Sequence, residues 1–172
     1  CVGSNQTICI GNSVTIGCAA VPGNTYSWTS NPAGFTSTSS NLTVSPTVTT
    51  TYTLTETITA TGCTRTQSVV VTVNTPPVVS LDPSNISGCR TAGNSNVSFI
   101  ASSTGGSPPP TAQWQVSADG TNYTNVAIGT TNTGTSAGVT TSQYTINPQQ
   151  TDMEKYYRVI FTNACGADTS IG

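Results

Sequence analysis

The residues that could do chemistry in this chain are few and scattered. The chain has no histidine, so the usual base for a serine or cysteine nucleophile is missing. Lys155 beside Glu154 could serve a Ser–Lys site or an adhesin-type isopeptide bond, but at the head of "YYRVIFT" it reads as a solvated charge pair. Carboxylates for glycoside hydrolysis would have to come from Asp82, Asp119, Asp152 and Asp168, and no dense aromatic cleft is implied around them. Calcium needs several clustered oxygen ligands. These acids are isolated, so Asp119 reads as a turn residue and Asp152 as a loop residue near a tyrosine corner. Trp114, Tyr123 and Tyr144 could form a sugar-stacking platform, but core or cross-strand packing is the plainer role. The expectation is a non-enzymatic chain with no catalytic residue, no cofactor and no metal.

Cysteine is the remaining reactive type. Six are present, at 1, 9, 18, 63, 89 and 165, with no His and no CxxC. Zinc sites need clustered ligands at short spacing, so the even count points to three disulfides and an oxidising, extracellular compartment.

What must position these residues is a β framework. Charged residues make up only 6% of the chain, against about 25% in an average soluble protein. Their place is taken by Thr, Ser and Asn, with Val, Tyr and Trp spaced between. β-Branched residues crowd a helix and pack well on a pleated surface. In the first half "QTICI", "SVTIGCAA", "TYSWTS", "NLTVSP", "TTYTLTETIT" and "QSVVVTV" alternate with period two. In the second, "VVSLD", "NVSFIAS", "AQWQVS", "NYTNVAI", "SQYTINP" and "KYYRVIFT" do the same. Each run is bounded by Gly, Pro, Asn or Ser, the spacing expected of a sandwich. "VSADGTNY" predicts a hairpin turn, since Asp-Gly tolerates positive φ.

Each half carries a Trp in its third run (Trp28, Trp114) and a late Tyr (Tyr52; Tyr156 and Tyr157). A third-strand Trp fills the core of an immunoglobulin-like sandwich, and a late Tyr anchors a corner. "VNTPPVV" separates the halves, and prolines cannot donate to a β ladder. The expected fold is all-β: two tandem immunoglobulin-like β-sandwiches, over 1–75 and 76–172. Trp28, Tyr52, Leu54, Trp114, Val159 and Phe161 should be buried, and Arg158 should point outward.

An immunoglobulin bridge would place a cysteine two residues after the late Tyr, where Leu54 and Val159 stand instead. The cysteines must therefore staple strand ends. In the second half Cys89 and Cys165 pair unless they bond across domains. In the first, Cys1, Cys9, Cys18 and Cys63 allow three pairings. A hairpin of 1–9 with 13–20 about "IGNS" would set Cys1 opposite Cys18, which favours Cys1–Cys18 with Cys9–Cys63.

The four cations, Arg65, Arg90, Lys155 and Arg158, form no cluster, and the formal net charge is −2. That argues against nucleic acid, whose binding needs a basic stripe. No apolar run approaches the roughly 18 residues of a membrane span, so no membrane insertion by this segment is expected. The chain opens on Cys1 and stops at "SIG", where a last strand should be running, and reads as a piece of a longer polypeptide.

"TICIGNSVTI…TYSWTSNPAGF…SPTVTTTYTLT…ATGCTRTQSVVVTV" resembles the immunoglobulin/PKD-like repeats of very large Bacteroidetes surface proteins. These include gliding-motility adhesins and other substrates of type IX secretion. "QWQVSADGTNYTNV…YYRVIFTNACGADTS" is similar to the Ig-like modules interspersed with such repeats. The resemblance implies an extracellular, non-catalytic stalk segment of an adhesin at the bacterial cell surface. Its partners would be neighbouring repeats of the same chain, with surface polysaccharide or another surface protein as further candidates. It also implies pairing of the Cys-Ile-Gly cysteine, Cys9, with the Gly-Cys cysteine, Cys63. Alternatives are a carbohydrate- or protein-binding module and a spacer in a secreted enzyme.

Overall fold

The computed structural model describes residues 2–86, 96–127, 131–148, 152 and 154–172. The chain divides into two compact units, Cys1–Asn74 and Thr75–Gly172. Regular structure among the described residues is all β, and each unit is an immunoglobulin-like sandwich.

The first unit contains β1 (Gln6–Cys9), β2 (Val14–Gly17), β3 (Asn24–Asn31), β4 (Thr36–Ser37), β5 (Asn41–Val44), β6 (Thr50–Ile58) and the first part of β7 (Thr64–Leu81). One sheet runs β4-β3-β6-β7, with β1 added alongside β7 in parallel; the other is the antiparallel pair β2-β5. Alternation sets which side chains face inward. Tyr26 and Trp28 on β3, Tyr52 and Leu54 on β6, and Val69 and Val71 on β7 meet Ile16 and Val44 from the smaller sheet. On the outer face, hydroxyls pair across strands, Thr53 with Ser68 (2.9 Å) and Thr55 with Thr66 (3.4 Å). Such pairs do the cross-strand work that opposite charges do in other sheets.

The rest of β7 belongs to the second unit, with β8 (Val97–Ser107), β9 (Thr111–Ser117), β10 (Thr124–Asn125), β11 (Thr131–Ser136), β12 (Val139–Ile146), β13 (Tyr156–Asn163) and β14 (Gly166–Thr169). Its sheets are β7-β8-β12-β11 and β10-β9-β13-β14. The "VNTPPVV" stretch is thus strand rather than a connector outside the sheets. Pro77 sits opposite Gly105 in the β7–β8 ladder. In the second unit β7 is an edge strand, where a missing N–H is tolerated.

Every residue of the expected core is buried: Trp28, Tyr52, Leu54, Trp114, Val159 and Phe161. Trp28 lies opposite Leu54 in the β3–β6 register and Trp114 opposite Val159 in the β9–β13 register. Arg158 falls on the other face of β13 from Tyr157, Val159 and Phe161. The Asp-Gly turn joins β9 to β10, with Gly120 at φ +70°.

The expected hairpin of residues 1–9 with 13–20 does not form. β1 pairs with β7, setting Cys9 opposite Asn74, and β2 pairs with β5. The turn about "IGNS" therefore carries the chain from one sheet to the other.

Candidate functional site

The acids serve as acceptors for the fold. Asp119 takes the Ser117 hydroxyl (2.8 Å), the backbone N–H groups of Thr121 (2.8 Å) and Asn122 (2.7 Å), and Asn122 Nδ2 (2.7 Å). Those donors, the Asn122 backbone foremost, hold its carboxyl far below the usual carboxylate range. Asp168 Oδ2 accepts from Val79 N (2.7 Å), tying β14 in one sheet to β7 in the other, and Asp82 Oδ1 accepts from Ile171 N (2.8 Å). Lys155 pairs with Asp152 at 2.7 Å rather than with its neighbour Glu154. Among the described residues no group of three or more His, Cys, Asp or Glu could hold a metal ion.

The aromatics divide by strand phase. Trp114 and Tyr144 are buried and stacked on each other, with centroids 5.9 Å apart, and Tyr157 packs against Tyr144. Burial, then the charge of Asp152 and the neighbouring Tyr144, push the Tyr157 hydroxyl up to about 12. Tyr123 alone of the proposed trio reaches the surface region. It stands over the outer face of β13, with the Arg158 guanidinium 3.7 Å from its ring centroid. A depression of about 310 Å³ lies elsewhere on this unit, lined by Leu81, Ser84, Ile86, Ser98 and Ile100, and holds no titratable group.

The cysteines depart from the expected set of three bridges. Cys9 and Cys165 are disulfide-bonded, whereas Cys18 and Cys63 are free thiols, half-buried and exposed respectively. Neither Cys9–Cys63 nor Cys1–Cys18 is formed. Cys9 lies across from Asn74, while Cys63 immediately precedes Thr64 at the other end of the same strand. That stretch of β7 is about 33 Å long at about 3.3 Å per residue, and a disulfide spans at most about 7 Å between Cα atoms. Cys18 follows β2, its N–H donating to Ser40 O (3.2 Å), and although the neighbouring Gly17 N–H reaches Val2 O (3.3 Å), the Cys18 thiol is free. The remaining two, Cys1 and Cys89, lie outside the described residues, so the expected Cys89–Cys165 pair is described at one end only.

Sequence reasoning passed over the row that Arg158 belongs to. In the ladder Arg158 stands opposite Gln115, and Gln115 opposite Asn125. Arg158 Nε donates to Gln115 Oε1 (2.9 Å) and Gln115 Nε2 to Asn125 Oδ1 (2.9 Å). The outward phase of "YYRVIF" was the available signal; the partners depend on a register that no local pattern encodes.

No helix of the described residues is long and apolar enough to cross a membrane. No protein-family model and no curated protein matches the sequence. Among solved structures the chain is similar to Rst D1–D2, at 15% identity and a TM-score of 0.68, over 99% of this chain and 95% of that one. It is also similar to the I-band fragment I67–I69 of titin, at 17% identity and a TM-score of 0.69, over 97% of this chain and 60% of that one. A third similar structure is the insect immune protein hemolin, whose domain arrangement has implications for homophilic adhesion, at 16% identity and a TM-score of 0.54; 98% of this chain covers 44% of hemolin. Two tandem immunoglobulin-like sandwiches are thus the fold on which any function must be built.

Proposed function

We propose that the chain is a non-catalytic, extracellular segment of a bacterial cell-surface adhesin, a disulfide-stapled stalk that carries a distal binding region. The observation carrying this reading is the use of the polar groups. Asp82, Asp119, Asp152 and Asp168 accept from groups of the fold itself, and outer-face hydroxyls pair across strands, so the residues that could have done chemistry hold the sandwiches together. The disulfides at Cys9 and Cys165 support an oxidising compartment. Immunoglobulin-like tandems such as hemolin support adhesion as the setting. The resemblance to Bacteroidetes surface repeats supports export by type IX secretion and a link to gliding motility, with neighbouring repeats as the immediate partners.

Two measurements test this. An antiserum raised against the chain should label intact cells of the producing bacterium, and label confined to lysed cells would refute a surface location. Thermal melts with reductant should fall well below those without, since losing a native disulfide costs about 2–5 kcal/mol. Changing salt should move them little, because there are few charges to screen. A melt unchanged by full reduction would remove the staple from the proposal.

A further inference from the structure

We infer that the outer face of the β10-β9-β13-β14 sheet carries a binding site for the carboxylate of an acidic saccharide, centred on Arg158. This goes beyond the stalk reading and can fail without it.

Arg158 is a cation with no acidic partner among the described residues. The ion pair found among the described residues joins Lys155 to Asp152, and no carboxylate there answers the guanidinium. Yet the group is held in place. The Tyr123 ring supports one face at 3.7 Å, and Nε is spent on Gln115 Oε1 at 2.9 Å. Gln115 is itself tied to Asn125 Oδ1 at 2.9 Å, so the three residues form a hydrogen-bonded row across β13, β9 and β10. A guanidinium fixed through Nε and one face keeps its two Nη groups as a fork with no bond to any described residue. That fork matches the spacing of two carboxylate oxygens, and the bidentate charge-assisted pair is the strong form of this contact. Because the fork is already oriented, little side-chain freedom is lost when the anion arrives.

The surroundings suit a sugar better than an acidic peptide. Tyr156 is two residues along β13 on the same face, about 6.6 Å away by strand geometry, and is 46% exposed. Its ring packs over the Gly120 turn, where a Cβ would stand 3.5 Å from Cε2. A seated aromatic ring beside a carboxylate fork offers a C–H-stacking face to a pyranose. Asn125 Nδ2 adds a donor that makes no bond to any described residue, available to a ring hydroxyl. A protein partner would need such aromatic and arginine anchors enclosed in a desolvated pocket. The described pocket of this unit lies among Leu81, Ser84, Ile86, Ser98 and Ile100, none of them on this sheet.

The test is a titration of the isotope-labelled chain with trigalacturonate, its carboxyl-reduced neutral counterpart and pentaglutamate, followed by NMR. Trigalacturonate should shift the Arg158 Nε–H signal and the Gln115 and Asn125 side-chain amides, with binding weakened by added salt. The neutral trisaccharide should bind about tenfold more weakly, having lost a charge-assisted pair. Arg158→Lys, which keeps the charge and loses the fork, should weaken trigalacturonate by a similar factor, and Tyr156→Ala should weaken it severalfold. Wild-type mapping requires no variant to fold. Absent shifts, shifts located elsewhere, equal response to the neutral sugar, or an unchanged Arg158→Lys would each overturn the site. Pentaglutamate binding as tightly as trigalacturonate would overturn the saccharide assignment in favour of an acidic peptide.

Discussion

The two sandwiches put a tryptophan at the same place and solve its polar end differently. In the first unit Trp28 Nε1 donates to the backbone oxygen of Ser39 (2.8 Å). In the second Trp114 Nε1 donates to the side-chain oxygen of Ser142 (2.9 Å), which lies 2.9 Å from Thr133 Oγ1. Around the first indole the core is mostly aliphatic, and the one buried polar residue described there is Thr50. Around the second, Phe99, Tyr144 and Tyr157 cluster, with Ser102, Ser103, Ser117, Thr140, Ser142 and Ser170 also buried. The first indole is satisfied by main chain in a core with one buried polar residue, the second by a hydroxyl in a core with several. A buried hydroxyl is stabilising only while it has a partner. The second unit should therefore be the more sensitive to side-chain changes that leave volume almost intact.

The largest effect separates the units outright. Trp28→Ala and Trp114→Ala each remove a fully buried indole and should each cost about 3–5 kcal/mol, comparable to much of a small domain's stability. Each unit has a single tryptophan, so the remaining indole reports its own unit by fluorescence during urea unfolding. Trp114→Ala should leave the Trp28 transition in place, and the converse should hold for Trp28→Ala. A single variant that moves both transitions equally would merge the two cores into one cooperative system.

A smaller effect tests the polar ends. Ser142→Ala leaves the buried Trp114 N–H without its acceptor and should cost about 1–3 kcal/mol. Ser39→Ala leaves the main-chain acceptor of Trp28 untouched, on an exposed residue, and should stay within about 0.5 kcal/mol. Equal shifts in urea midpoint from the two substitutions, each read in its own unit, would show that Thr133 or another acceptor takes over, and the contrast between the cores would vanish.

The parts legible in the sequence are those with a local signal. Period-two alternation placed Tyr157, Val159 and Phe161 inside and Arg158 outside, and Asp119-Gly120 marked its turn. β11 went unseen because Thr131–Ser136 has no apolar residue to alternate; it forms by pairing hydroxyl side chains with β12, Thr135 Oγ1 with Thr140 Oγ1 at 2.8 Å. The place of β1 was misread because "TIC" and "VTIG" look like two arms of a hairpin. Only the tertiary fold decides that β1 runs parallel to β7, and that choice moves Cys9 far from Cys63. The Arg158 row was invisible for the same reason, since register across three strands sets it. Cysteine pairing and surface recognition both depend on which strands become neighbours, and composition says nothing of that.

The smallest effects are in pH, and they fall unevenly on the two units. On the alkaline side, burial raises the hydroxyl of Tyr52 in the first unit and carries that of Tyr157 in the second to about 12. An unfolded tyrosine ionises near about pH 10. The stability that Tyr157 contributes is thus whole below about pH 10 and lost as pH rises towards its folded value. Tyr157→Phe should flatten that alkaline loss for the Trp114 transition and leave the Trp28 transition alone. On the acid side, Asp119 binds protons more weakly folded than unfolded, so its contribution is present above about pH 4 and drains away as pH falls further. The carboxylate is fully exposed, so the loss should stay local. The protection of the Thr121 and Asn122 amides, measured against their intrinsic exchange rates, should fall below about pH 4 while the Trp114 emission holds, and Asp119→Asn should remove that pH dependence. Protection that stays constant in the unmodified chain would mean that the β9–β10 turn is held by its backbone alone.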